Sequence, residues 1–151
     1  AALAAERWLT KNKLATLIRR ENLEPTKAET SKTLEISNEK NFSPEKTWQK
    51  GSYALRKLYH ESEKSLFVIY TSSSCGPCHI LKPQLQRVLE ESNGKAIGVE
   101  IDIENEQDIA KQAEVSGTPT VHLFRNKKLI QQWKGVKARS EYKSALNLIT
   151  N

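Results

Sequence analysis

The chain has 151 residues, 37% of them apolar, with a mean hydropathy of −0.64 and a formal net charge of +6. That length fits one domain of ordinary size plus something extra, and the low apolar content implies that part of the chain is extended or solvated. No apolar run approaches the ~20 residues of a membrane helix, and the basic surplus lies in residues 1–60 as scattered charges without interleaved aromatics, so neither a membrane nor a nucleic acid is expected as partner.

In chain order, residues 1–12 read as a helix, Ala-rich with Leu3, Trp8 and Leu9 spaced for one apolar face. The opening alanines lack a basic lead and are too short for a secretory signal. With no initiator methionine, the chain is expected to be a piece of a longer one or a processed product. Residues 13–46 are polar and without period, which marks a linker. Within them Thr33–Ile36 suggests a short strand and Ser43-Pro44-Glu45-Lys46 a helix start. Residues 51–62 place Leu55, Leu58 and Tyr59 on one helical face. Leu66–Tyr70 is an apolar strand without polar alternation, hence central in a sheet. A helix from Ile80 to Glu91 contains Pro83, which should kink it.

Ala96–Ile101 is a second strand, followed by a helix at about 106–114. Val115–Pro119 breaks the pattern before the strand Thr120–Phe124. Asn126–Lys128 turns the chain into the strand Leu129–Trp133. A last helix runs from Ser140, a natural N-cap, to Ile149. Alternating helices and strands closed by a hairpin predict an α/β fold with a mixed central sheet and helices on both faces, preceded by the linker and an isolated N-terminal helix.

Between strand and helix stands Cys75-Gly76-Pro77-Cys78, which holds both cysteines of the chain. Half a zinc site is one reading, but no second cysteine pair completes four ligands, and no metal is expected. Cys75-x-x-Cys78-His79 also spells a haem attachment, which, with no methionine present, would need His60 or His122 as second axial ligand. The redox dithiol is the stronger reading. A helix N-terminus aims unpaired N–H groups and partial positive charge at the first sulfur, favouring thiolate. The two-residue spacer keeps the second thiol close enough to attack a mixed disulfide formed by the first. His79 is expected to be a solvated helix-face residue.

With Cys75-Gly-Pro-Cys78, Pro83, Thr118-Pro119, the hairpin and Gly135 in place, residues from about 51 to 151 resemble thioredoxin. The resemblance implies the thioredoxin fold, a cis peptide before Pro119, and a target segment docked at Thr118, Pro119 and Ser74. It implies that Cys75 attacks and that the more buried Cys78 resolves, with Gly76 and Pro77 shaping the loop between them. Thioredoxins carry a tryptophan where Ser74 stands, so the rim is expected to be smaller and more polar and the choice of partner narrower. They bury a proton-handling aspartate where Ile69 stands, and carry a lysine where Glu100 stands. Glu100 is therefore a candidate carboxylate for accepting the Cys78 proton, its other reading being an exposed strand-end glutamate.

Residues 1–9, Tyr53–Ser62, Val99–Glu104 and Gly135–Lys137 further resemble the C-type NADPH-thioredoxin reductases, which fuse a flavin reductase to a thioredoxin in cyanobacteria and chloroplasts. That resemblance makes 1–12 the last helix of a preceding reductase domain, 13–46 the linker and 47–151 the thioredoxin domain. It implies electron flow from NADPH through FAD and the reductase domain to Cys75 and Cys78, then to a two-cysteine peroxiredoxin or similar disulfide protein. FAD and NADPH belong to that reductase domain and not to this chain, which has six glycines and no G-x-G-x-x-G. The implied location is a cyanobacterial cytoplasm or the chloroplast stroma. A regulatory or scaffolding module with a redox-sensing dithiol stays open, as does an isomerase or oxidase in an oxidising compartment.

Overall fold

The computed structural model describes residues 4–10 and 46–150. Residues 4–10 are helical and form α1. The remainder runs β1 (Trp48–Lys50), α2 (Ser52–Glu61), β2 (Ser65–Thr71), α3 (Gly76–Glu91), β3 (Ala96–Asp102), α4 (Gln107–Gln112), β4 (Thr120–Arg125), β5 (Lys128–Lys134) and α5 (Arg139–Thr150). The five strands form one sheet in the order β1-β3-β2-β4-β5. β3 pairs parallel with β1 and β2, whereas β4 pairs antiparallel with β2 and β5, so the sheet is mixed as expected.

β2 is central, and all seven of its residues are buried. Successive strand side chains point to opposite faces. Leu66, Val68 and Tyr70 accordingly enter one core with Leu55, Leu58 and Tyr59 of α2 and Ile109 of α4. Phe67 and Ile69 enter the other, with Leu81, Leu85 and Val88 of α3 and Tyr142 of α5. Leu81, Leu85 and Val88 recur at helical spacing on α3 and bury one stripe of it. Pro83 lies inside this helix, which continues through it; the proline removes the bond its N–H would give the His79 carbonyl.

Three local expectations change. β1 is a strand that the sequence pattern does not reveal. Its register sets Trp48 opposite Gly98, where a Cβ would lie 2.6 Å from Trp48 Cε3 and 2.7 Å from Leu89 Cδ1. Glycine at 98 is what leaves room for the indole and for Leu89 against β3. The hairpin turn is two residues, Asn126 and Lys127, both at positive φ (52° and 64°), as tight turns matching strand twist require. α5 begins at Arg139, so Ser140 lies inside it and does not cap it; Glu141 N–H donates to the Ala138 carbonyl at 3.0 Å. The suggested strand at Thr33–Ile36, the residues Ser43–Glu45 and the 13–45 part of the linker lie outside the described residues. Lys46 precedes β1 without helix.

α2 is capped from a distance. Gly51 precedes it and offers no side chain, and the Ser52 N–H donates instead to Glu106 Oε1 at 2.6 Å. Burial pushes the Glu106 carboxyl above the usual carboxylate range, against the Ser52 hydrogen bonds that favour its charge. The same residue is the N-cap of α4, so one carboxylate ties two helices of the first face together.

Candidate active site

β2 ends at Thr71, and the chain turns through Ser72, Ser73 and Ser74 into α3. The turn closes where Cys75 N–H donates to the Ser72 carbonyl at 3.2 Å. Cys75 is the N-cap of α3, with Pro77 in the first turn, where a missing N–H costs nothing. Cys75 and Cys78 are joined as a disulfide with their Cα atoms 5.4 Å apart, and Cys78 N–H donates to Cys75 Sγ at 3.2 Å. The first sulfur thus sits where helix N–H groups and the positive end of the dipole are directed.

Cys75 is 6% exposed and Cys78 1%. Cys78 is the more buried, as the resemblance implies, but Cys75 is less open than a helix start after a strand suggests. Its sulfur is turned back over the first turn of α3, bonded to Cys78 and accepting the Cys78 N–H, and this hides it. Gly76, Pro77 and His79 are exposed around it, and so is Ser74.

The Thr118-Pro119 bond is cis. Ser72 Oγ lies 3.5 Å from Thr118 Oγ1, which brings this loop to the dithiol loop. Pro119 is buried, and its carbonyl accepts from Gly135 N–H at 2.9 Å, with Gly135 at φ 82°. Thr118, Pro119 and Ser74 therefore share the end of the sheet that carries Cys75 and Cys78. A third loop joins them, because Ile103 N–H donates to the Thr71 carbonyl at 2.9 Å and Ser73 Oγ to Glu104 Oε2 at 2.8 Å.

Glu100 is no exposed strand end. It lies in β3 in register with Ile69 of β2, its side chain 11% exposed, and Oε1 is 3.0 Å from Lys82 Nζ. Lys82 follows Cys78 by four residues, one turn along α3 and on the same side of the helix. The carboxylate is thus held within a lysine's reach of the helix turn that carries the resolving cysteine. Sequence reasoning singles out Glu100 but not Lys82; the four-residue step from Cys78 was the signal available for it.

Both histidines considered as haem ligands are engaged inside the protein. His60 Nε2 is 3.0 Å from the Leu9 carbonyl, and His122 Nδ1 is 3.3 Å from Tyr70 Oη. Burial lowers the His122 imidazole to about 4 and raises the Tyr70 phenol. This pair lies on the first face, away from α3. Among the described residues no group of His, Cys, Asp or Glu is placed to hold a metal ion, and no helix is long and apolar enough to cross a membrane.

A family model described as thioredoxin matches residues 47–147. The chain belongs to the thioredoxin family. It is a thioredoxin-type thiol–disulfide oxidoreductase, with Cys75 and Cys78 as its redox pair. It is 45% identical over 143 residues to NADPH-dependent thioredoxin reductase 3 of Arabidopsis thaliana, a match taking in 95% of this chain and 26% of that protein. The likeness to that reductase therefore extends well before residue 47, where the thioredoxin match begins. It is 33% identical over 85 residues to the mitochondrial thioredoxin of Bos taurus, covering 56% of this chain and 51% of that one. The chain thus spans about a quarter and about half of these relatives.

Among solved structures, chloroplastic thioredoxin z superposes with a TM-score of 0.62 at 22% identity, over 72% of this chain and 96% of that one. A thioredoxin variant from Halobacterium salinarum gives 0.63 at 22% identity, over 73% and 96%. These two agree with the thioredoxin fold.

Proposed function

We propose that this chain is the electron-delivering end of an NADPH-dependent thioredoxin reductase fusion, reducing disulfides of a two-cysteine peroxiredoxin. The observation that carries the reductive reading is the placement of Cys75 Sγ at the N-cap of α3, where the Cys78 N–H donates to it at 3.2 Å. In the reduced protein this arrangement favours the Cys75 thiolate. The thiolate attacks one sulfur of the target disulfide, whose S–S bond breaks as the mixed disulfide forms. Cys78 then attacks Cys75 Sγ, closing the Cys75–Cys78 disulfide and releasing the target as a dithiol.

The Cys78 thiol must lose its proton as it attacks, and Glu100 is assigned as the acceptor. Its low exposure, its pairing with Lys82 and its place beside the buried Ile69 support this, since a positioned base contributes roughly 10²–10⁴-fold to such a step. Thr118 and the backbone at Pro119 would dock the target as an extended segment. Ser74 leaves that rim small and polar, so partner choice is narrower than with an aromatic there.

Electrons would arrive from a reductase domain preceding residue 1, with residues 1–12 as its last helix and 13–46 as the connection. The 45% identity with a plant NADPH-dependent thioredoxin reductase supports this. FAD and NADPH would be held by that domain, since residues 1–151 offer no glycine-rich phosphate cradle. The compartment is one that keeps thiols reduced, a cyanobacterial cytoplasm or the chloroplast stroma.

The test replaces Cys78 with Ser, reduces the protein and mixes it with an oxidised two-cysteine peroxiredoxin, then with a soluble extract. A mixed disulfide on Cys75 should accumulate, identifiable by mass spectrometry, and Cys75→Ser should give none. An empty catch from both variants would overturn the reductive reading and favour a redox-sensing module.

A further inference from the structure

α1 precedes the part of the chain that matches thioredoxin, yet it is built into that part's core. Ala5, Trp8 and Leu9 are buried and join the first-face cluster. Apolar burial is only half of the fit. Glu6 Oε1 accepts the Leu129 N–H of β5 at 2.7 Å, and Trp8 Nε1 donates to Asp108 Oδ2 of α4 at 3.4 Å. The Leu9 carbonyl lies 3.0 Å from His60 Nε2 of α2, and the Arg56 guanidinium sits 5.5 Å from the centre of the Trp8 ring. Three separate elements of the fold thus meet one short helix with matched polar groups around an apolar centre. A hydrophobic core ringed by satisfied polar contacts is the anatomy of a recognition surface.

We propose that this face is a docking site for a short amphipathic helix, occupied in cis by residues 4–10, and that the contact fixes the domain against the part of the chain that precedes it. A segment joined in cis meets its site at an effective concentration that no free partner matches, so even modest intrinsic affinity keeps it seated. The docked helix does not cover the dithiol, because α3 belongs to the opposite face of the sheet. Anchoring and redox chemistry are therefore separate properties of the two faces. The inference needs no reductase domain; where one precedes residue 1, the site is the joint between the two.

Leu129 supplies the readout, since its N–H reports on α1 through Glu6. Amide hydrogen exchange followed by NMR on the full 151-residue chain should show this amide protected about 100-fold or more over an unstructured one, independently of protein concentration. Trp8→Ala removes neither partner of the Glu6–Leu129 hydrogen bond, yet it should speed exchange there at least tenfold while leaving Val68 in the central strand unchanged. Glu6→Gln should give a smaller increase at the same amide. The rate at which reduced protein reacts with 5,5′-dithiobis(2-nitrobenzoate) should be the same in Trp8→Ala and wild type. Unprotected Leu129 in the wild type, protection that rises with concentration, or an unchanged Leu129 rate in Trp8→Ala would each overturn docking in cis. A dithiol rate altered more than twofold would overturn the separation of the faces.

Discussion

Lys82 and Glu100 meet at 3.0 Å across the junction of α3 and β3, joining the helix that carries the resolving cysteine to the neighbouring strand. If Glu100 accepts the Cys78 proton, Glu100→Gln should slow resolution of a preformed mixed disulfide by roughly 10–100-fold at neutral pH. The initial attack by Cys75 should keep its rate. Stopped-flow measurement of the two steps across pH separates them, and an unchanged resolution profile removes Glu100 from the mechanism. Lys82→Gln should cost about 1 kcal/mol of stability, because both groups retain some solvent.

The motif at 75–78, the central strand and the alternation of elements were legible because each is written locally, in spacing or in a breaker residue; the cis bond before Pro119 came instead from the resemblance to thioredoxin. Lys82 was not, since its meaning depends on which strand lies beside α3. β1 escaped for the same reason. Trp48-Gln49-Lys50 is too short to show a period, and its place is set by contact with Gly98, fifty residues away. The cap on α2 likewise comes from Glu106, which no local pattern around Ser52 announces. Long-range polar partners are what residue spacing cannot express.

Gly98 tests the β1 contact directly. A methyl group added there meets the Trp48 ring and Leu89 at under 3 Å, so Gly98→Ala should destabilise the fold by about 1–3 kcal/mol. Trp48→Ala in the same background should recover part of that loss, since it removes one of the two obstacles. Chemical denaturation of the single and double variants reads both effects, and a Gly98→Ala protein as stable as wild type would mean that β1 packs elsewhere.

His122 should make the fold sensitive to mild acid. Its imidazole is held neutral down to about 4, against an ordinary value of 6.5, so below 6.5 the unfolded chain binds a proton that the folded one refuses. Stability from this residue is complete above about pH 6.5 and is lost as the pH falls toward 4, about 3 kcal/mol in all. Denaturation curves between pH 7.5 and 4 should show the slope, and His122→Leu should flatten it in that window. A slope that survives the substitution assigns the effect to other groups.

Glu106 acts with the opposite sign. Its carboxyl titrates above its usual range, so the folded state holds a proton more readily than the unfolded one, and stability rises as the pH falls through that interval toward 4.5. Glu106→Ala should cost about 1 kcal/mol at pH 7 through loss of the cap on Ser52, and should abolish the opposing slope. Glu106→Gln keeps an acceptor for the Ser52 N–H and should retain most of the stability. Equal losses in the two variants would mean that the hydrogen bond contributes nothing.

β5 forms one margin of the sheet, and a bare margin invites another chain to add itself as a further strand. Lys128 and Lys134 discourage this by charge at the two ends of β5, but between them Leu129 and Ile130 are apolar, with Ile130 exposed. Glu6 occupies the Leu129 donor and sets a carboxylate against that stretch. The helix that anchors the domain therefore also guards its rim. Loss of α1 from its seat should first be felt in crowded solution, as self-association through β5, while a dilute sample would still exchange disulfides at its former rate.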